Sequence, residues 1–119
     1  MLEMGIAGAG AAAPSSGMLS LRRFELLDQL SGTSESSEIN AYLAAVADTL
    51  DVTNTVLASA GKPKLFCGNP PLDVPLMRGL LRERIAFLAK LGQDTEAIKA
   101  RSGIVIVLLQ ALREKYACR

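Results

Sequence analysis

A chain of 119 residues with 13 Lys+Arg against 12 Asp+Glu is long enough for one domain. Its charge is too evenly balanced to give the electrostatic footprint of a nucleic-acid or anionic-membrane binder. It has no histidine, which removes the usual general base and the commonest metal ligand, and no apolar run near the roughly 18 residues of a membrane span.

The chain opens on MLEMGIAGAGAAAPSSG (1–17), which is small and apolar and carries only Glu3 as a charge. A secretory signal shows a basic start and a longer Leu-rich core, and both are missing. Two readings stand: the tail of a signal peptide with a trimmed start, or a flexible low-complexity leader. The Ala11–Ala13 pattern before Pro14 suits the first.

Residues 18–119 read as one all-helical domain. Hydrophobic residues make up 50% of the chain and aromatics 4%, so Leu, Val, Ile and Ala must build its core. The first helix is expected over Met18–Ser31, with Leu19, Leu26, Leu27 and Leu30 as a partial stripe. GTSESS (32–37) is a turn that offers Ser36 or Ser37 as the next N-cap. The second helix carries Ile39, Tyr42, Leu43, Val46, Leu50, Thr53, Val56 and Leu57 at helical spacing, with a break open at the weak helix formers Thr53–Thr55. Ala44, Ala45 and Ala47 would let another helix approach it closely. Gly61 and Pro63 end it. KPKLFCGNPPL (62–72) is a loop, because its prolines and glycine leave no room for a helix.

Asp73 is expected to cap the third helix, with Pro75 in the first turn, where a missing N–H costs nothing. Its stripe is Met77, Leu80, Leu81, Ile85, Leu88 and Leu91, and Gly92 ends it. Asp94 caps a fourth helix over Thr95–Ala117. There Ile98, Ser102, Val105, Leu109, Leu112 and Tyr116 form the stripe, and Ile104, Val107 and Leu108 make the middle apolar on nearly all sides. Such a helix is expected at the centre of a bundle. A strand at Gly103–Leu109 is the competing reading, but the helical period continues on both sides without a turn signal.

The two cysteines, Cys67 and Cys118, follow from this layout. Helices three and four would be about 27 and 35 Å long at 1.5 Å per residue. The short Leu91–Asp94 connection makes them an antiparallel hairpin, which returns Cys118 past the start of helix three, close to Cys67. A bond there would close a loop of about 50 residues, worth about 4 kcal/mol in the chain-entropy model. The alternative is two unrelated reduced thiols in a cytosolic protein. A catalytic cysteine lacks its ordinary histidine base, and two thiols without histidine make a poor zinc site. Asp48 and Asp51, Arg78 and Arg82, and Glu114 all read more simply as solvated helix faces than as sites. An acidic partner patch is the other use open to the arginines. Tyr42 and Tyr116 read as core-edge aromatics. No catalytic residue, metal site or cofactor is read from the chain.

Cys67, Pro70, Val74, Met77 and Leu88, then Ala111-Leu112, Tyr116 and Cys118, form a pattern that resembles the Rap/Tai immunity proteins, which guard bacteria against the peptidoglycan amidase effectors of type VI secretion. Upstream, INAYLAAVADTL (39–50) is similar to a family segment in which Tyr42 and Asp48 are in place. Alanines 41 and 44 stand where the family often has glycine, and the second cysteine pair of many members is missing. The resemblance implies an all-α, disulfide-stapled, periplasmic protein that binds and occludes a cognate amidase. It carries over Cys67 and Cys118 and no contact residues. The fold expected is a compact four-helix domain with a stapled C-terminal hairpin. The proline-rich loop is its candidate presenter, through Lys64, Asn69, Pro70 and Pro71, because prolines lower the ordering cost of binding. The expected partner is the amidase, with no nucleic acid and no membrane, and pairing with a second copy stays open. The rival reading is an intracellular helical adaptor or structural subunit with free thiols.

Overall fold

The computed structural model describes residues 19–30, 34–92 and 95–119. The 1–17 leader, Met18, the start of the 32–37 turn and the Asp94 cap lie outside the described residues. Among the described residues five helices follow one another: α1 Leu21–Asp28, α2 Ser34–Ser59, α3 Val74–Lys90, α4 Glu96–Arg101 and α5 Ile104–Lys115. The protein is all-α, and among the described residues the only β pairing is an isolated antiparallel bridge between Ser20 and Gly103.

That bridge explains the main departure from the sequence reading. The expected single helix over Thr95–Ala117 is two helices, α4 and α5, so the C-terminal part is not a simple two-helix hairpin. Ser102 and Gly103 take extended backbone (φ −93°, ψ 110° and φ −70°, ψ 137°). Both are poor helix interiors. The backbone around this break bonds to the segment before α1: the Leu21 N–H donates to Ser102 O at 2.7 Å and the Ile104 N–H to Leu19 O at 2.8 Å. The Ser102 hydroxyl donates back to Ile98 O at 2.7 Å and satisfies a carbonyl at the end of α4.

The strap sets α1 in the middle. This eight-residue helix touches all four other helices, and Leu21 and Phe24 are fully buried. The Ser20 Oγ accepts from the Arg23 N–H at 3.0 Å as its N-cap. The centre of the fold is therefore α1, and not the apolar helix near the C-terminus. α5 buries Ile104, Val107, Leu108 and Leu112 but exposes Ile106. Leu26 and Leu30, expected in the α1 stripe, are exposed.

α2 begins at Ser34, so Ser36 and Ser37 lie within it and do not cap it. It runs unbroken through Thr53–Thr55. Thr49, Thr53 and Thr55 each donate a hydroxyl to the carbonyl four residues back, at 2.7 to 3.0 Å, which lets these weak helix formers sit on an exposed or half-buried helix face. Its buried line is Ile39, Leu43, Val46, Ala47, Leu50 and Asn54; Val56 is exposed and Thr53 and Leu57 are half-buried. Ala44 and Ala45 are exposed, and only Ala47 of the three alanines is buried. In α3, Asp73 caps as expected, its Oδ1 accepting from the Leu76 N–H at 3.0 Å, with Pro75 in the first turn. Gly92 at φ +69° ends the helix in the left-handed region.

Arg78 and Arg82 do not form the free solvated face expected of them. Both converge on Asp28 of α1. Arg82 donates from Nε and Nη2 to the two carboxylate oxygens at 2.8 and 3.0 Å, and this raises its pKa further above the ordinary arginine value. Arg78 Nε lies 2.9 Å from Oδ1, at an angle that makes an ion pair without a hydrogen bond, and its Nη2 is buried without an acceptor. The Arg78 and Asp28 side chains are 18% and 16% exposed. On the other side of α1, buried Lys99 bridges Glu25 at 2.7 Å and Glu96 at 2.9 Å, and Glu96 also pairs with Arg22.

Removing one partner of a mostly buried pair leaves an uncompensated charge. Asp28→Ala is therefore expected to lower the unfolding free energy by about 2 kcal/mol, below the fully buried case because Arg82 is half in water. Urea denaturation of the oxidised protein measures this. A loss under about 0.5 kcal/mol would place the cluster among ordinary surface ion pairs.

Candidate partner-binding site

Between α2 and α3 the chain must turn with few helix formers, and each of its backbone groups needs a partner. The exit from α2 is a Schellman motif: Lys62 N–H donates to Leu57 O at 2.8 Å and Gly61 N–H to Ala58 O at 3.1 Å, with Gly61 at φ +71°. The loop then runs beside the second half of α2. Asn54, 7% exposed, grips it from both sides. Its Oδ1 accepts from the Leu65 N–H at 2.7 Å, and its Nδ2 donates to Phe66 O at 2.8 Å. A side-chain amide here replaces a strand neighbour. Phe66 is buried directly after the clamp.

The next residue is tied to the far end of the chain. Cys67 and Cys118 form a disulfide across 51 residues, with their Cα atoms 5.0 Å apart. The Cys67 N–H also donates to Tyr116 O at 2.7 Å. Cys118 Sγ lies 3.9 Å from Lys64 O, a contact only, since the oxidised sulfur carries no proton. Gly68 (φ +84°) and Asn69 (φ +50°) then reverse the chain in the left-handed region, which glycine and asparagine tolerate best. Tyr116 is half-buried against this turn, and Tyr42 is half-buried with its hydroxyl accepting from the Leu19 N–H at 3.5 Å.

The loop and α2 enclose a cleft of about 320 Å³. From the loop it is lined by Lys64, Phe66, Asn69, Pro70 and Leu72, and from α2 by Asp51, Asn54, Thr55, Ala58 and Ser59. Three of the four residues expected to present to a partner thus share one cleft; Pro71 is exposed outside it. Lys64 and Asp51 bring an ammonium and a carboxylate to opposite walls, and Phe66 and Leu72 give apolar surface. Such a mix suits a peptide segment of a protein. Asp48 lies exposed on α2 outside the cleft. Among the described residues no group of three Cys, Asp or Glu side chains is placed to hold a metal ion, and no helix is long and apolar enough to cross a membrane.

Sequence reasoning missed Asn54, which it treated only as a weak helix former. The usable signal was its position: it falls four residues after Leu50 on the buried line, and an amide at a buried position needs backbone partners. The chain matches no family model, no curated protein and no solved structure.

Two outcomes follow from this anchoring. Asn54→Ala strands the Leu65 N–H and the Phe66 carbonyl, and is expected to cost about 2 kcal/mol and speed hydrogen exchange at the Leu65 amide. Wild-type exchange there would mean that the clamp is dispensable. Replacing Cys67 and Cys118 together by serine is expected to cost about 4 kcal/mol by loop-closure entropy. Guanidinium unfolding reads this, and a cost under about 1 kcal/mol would assign the loop's hold to Asn54 and the Cys67–Tyr116 hydrogen bond alone.

Proposed function

We propose that this protein is a non-catalytic binding module, an immunity protein of Rap/Tai type that occludes a cognate peptidoglycan amidase of type VI secretion in the periplasm. The observation that carries the reading is the anchored loop. Lys64, Asn69 and Pro70 lie on one cleft wall, and the segment is fixed by a disulfide, a buried amide clamp and a backbone hydrogen bond. A presenter loses conformational freedom when it binds, and a loop fixed in advance loses less.

The paired sulfurs support the reading in a second way. A structural disulfide is compatible with an oxidising compartment and rare in the cytosol. The free-thiol intracellular adaptor has no comparable observation in its favour. Of the positions that carry the family resemblance, Cys67 and Pro70 lie in this loop, and Cys118 and Tyr116 are tied to it by the disulfide and by the hydrogen bond from the Cys67 N–H to Tyr116 O.

The oxidised protein is expected to form a stable complex with a peptidoglycan amidase, sought first among the products of the adjacent genes, and to suppress that enzyme's hydrolysis of peptidoglycan. Lys64→Glu combined with Asn69→Ala is expected to weaken the complex at least about tenfold, as loss of central contacts does. Calorimetry with the purified amidase measures both. No complex with any adjacent amidase sinks the proposal.

A further inference from the structure

A second surface lies on the other side of α3. The outer groove between α3 and α5 holds two adjoining clefts of about 360 and 260 Å³, which share Arg84, Val107 and Gln110. Neither shares a lining residue with the loop cleft. Two of the chain's exposed large hydrophobic side chains stand here, Phe87 at 50% and Ile106 at 51% exposure.

The charges say what kind of occupant fits. The smaller cleft has apolar side chains of Leu88, Ile98, Ile106 and Val107, with Arg84, Arg101 and Gln110 around them, and among the described residues no carboxylate lines it. The Arg84 guanidinium lies 5.3 Å from the Phe87 ring centroid, stacked by a cation–π contact. Neither Arg84 nor Arg101 has a carboxylate partner among the described residues. The larger cleft continues toward Glu83 and Glu114, with Glu83 paired to Lys115 at 3.2 Å. Charge thus changes from basic to acidic along the groove, and an acidic ligand is directed to the Arg84–Arg101 end. Arginine presents several donors to a carboxylate in a fixed fork, and apolar surface beside it holds the neighbouring side chain.

We infer that the Arg84–Arg101 end of the α3–α5 groove is a docking site for a protein segment in which an apolar side chain is flanked by carboxylates. The apolar side chain enters over Leu88, Ile98 and Val107, and the carboxylates meet the two guanidiniums. The inference does not depend on the loop cleft or on the amidase.

The probe is the acetylated, amidated tetrapeptide Glu-Leu-Phe-Glu, titrated into the ¹⁵N-labelled oxidised protein, with Lys-Leu-Phe-Lys as its charge-reversed control. Saturable shifts are expected at Arg84, Phe87, Arg101, Ile106 and Gln110 with the acidic peptide alone. Arg84→Gln and Arg101→Gln are each expected to weaken binding about fivefold. Ile106→Ser, at an exposed position that leaves folding intact, is expected to weaken it as well. Equal shifts with both peptides, shifts centred on another face, or no saturable shift overturns the inference. So does concentration-dependent self-association that perturbs these residues without peptide and disappears in Ile106→Ser, since the occupant is then a second copy. The loop variants Lys64→Glu and Asn69→Ala are expected to leave peptide binding unchanged, which separates this outcome from that of the amidase experiment.

Discussion

The bond between Cys67 and Cys118 decides where the stretch between α2 and α3 can go. Residues 60–73 contain three prolines before the α3 cap, which bar a helix between the Schellman turn that closes α2 and Asp73. Left to themselves they would sample many conformations, and ordering each backbone residue costs about 1–2 kcal/mol. The disulfide removes much of that freedom from the unfolded chain as well as from the folded one. It also brings Cys67 to the Tyr116 carbonyl, and Tyr116 closes the last turn of α5 by donating its N–H to Leu112 O at 2.8 Å. One covalent link therefore fixes the loop after α2 and the chain after α5 together, and α3 leaves the same loop from a capped Asp73.

Asn54 makes that link useful at the other end of the segment. A disulfide fixes one point, and Leu65 and Phe66 could still slide along α2 without a second. The amide supplies a donor and an acceptor in the spacing a neighbouring strand would offer, so register is set as well as position. Its burial raises the stakes: satisfied, it contributes about the net value of two hydrogen bonds, but without its partners it carries a full desolvation penalty. The cleft wall formed by Lys64, Asn69 and Pro70 is thus fixed by chemistry at both ends.

Local rules read the fold well wherever the signal is local. Asp73 and Pro75 mark the α3 start because the cap and the missing N–H are properties of adjacent residues. Gly61 and Gly92 mark helix ends because the left-handed region requires them. The disulfide followed from helix lengths and a short connection, although the connection is longer and broken by α4. Non-local partners decided the rest. Ser102-Gly103 costs a helix little enough that flanking periodicity outweighed it, and only the Leu19–Leu21 backbone, some 80 residues earlier, makes the break worthwhile. α1 starts later than the expected Met18 for the same reason, since the bridge to Gly103 holds Ser20 and the helix begins at Leu21. Arg78 and Arg82 looked like a solvated pair because Asp28 belongs to another helix. In the candidate site, the loop and its lysine, asparagine and proline were legible, and Asn54 was not, because an amide's partners lie outside its own helix.

The two surfaces differ in what holds them. The loop cleft depends on a covalent bond and three hydrogen bonds, so its shape responds to redox conditions and to changes at Asn54. The α3–α5 groove depends on side chains of two packed helices and on the stacking of Arg84 over Phe87, none of which touches the disulfide. Reduction should thus loosen one surface and leave the other. They are joined mechanically through α3, which leaves the loop at Asp73 and carries Arg84 and Phe87 near its other end. A partner that engages both would gain by effective concentration rather than by any new contact. That gain would require the loop and α3 to keep a fixed relation. The Asp73 cap, where the disulfide-held loop becomes helix, is the element that keeps it.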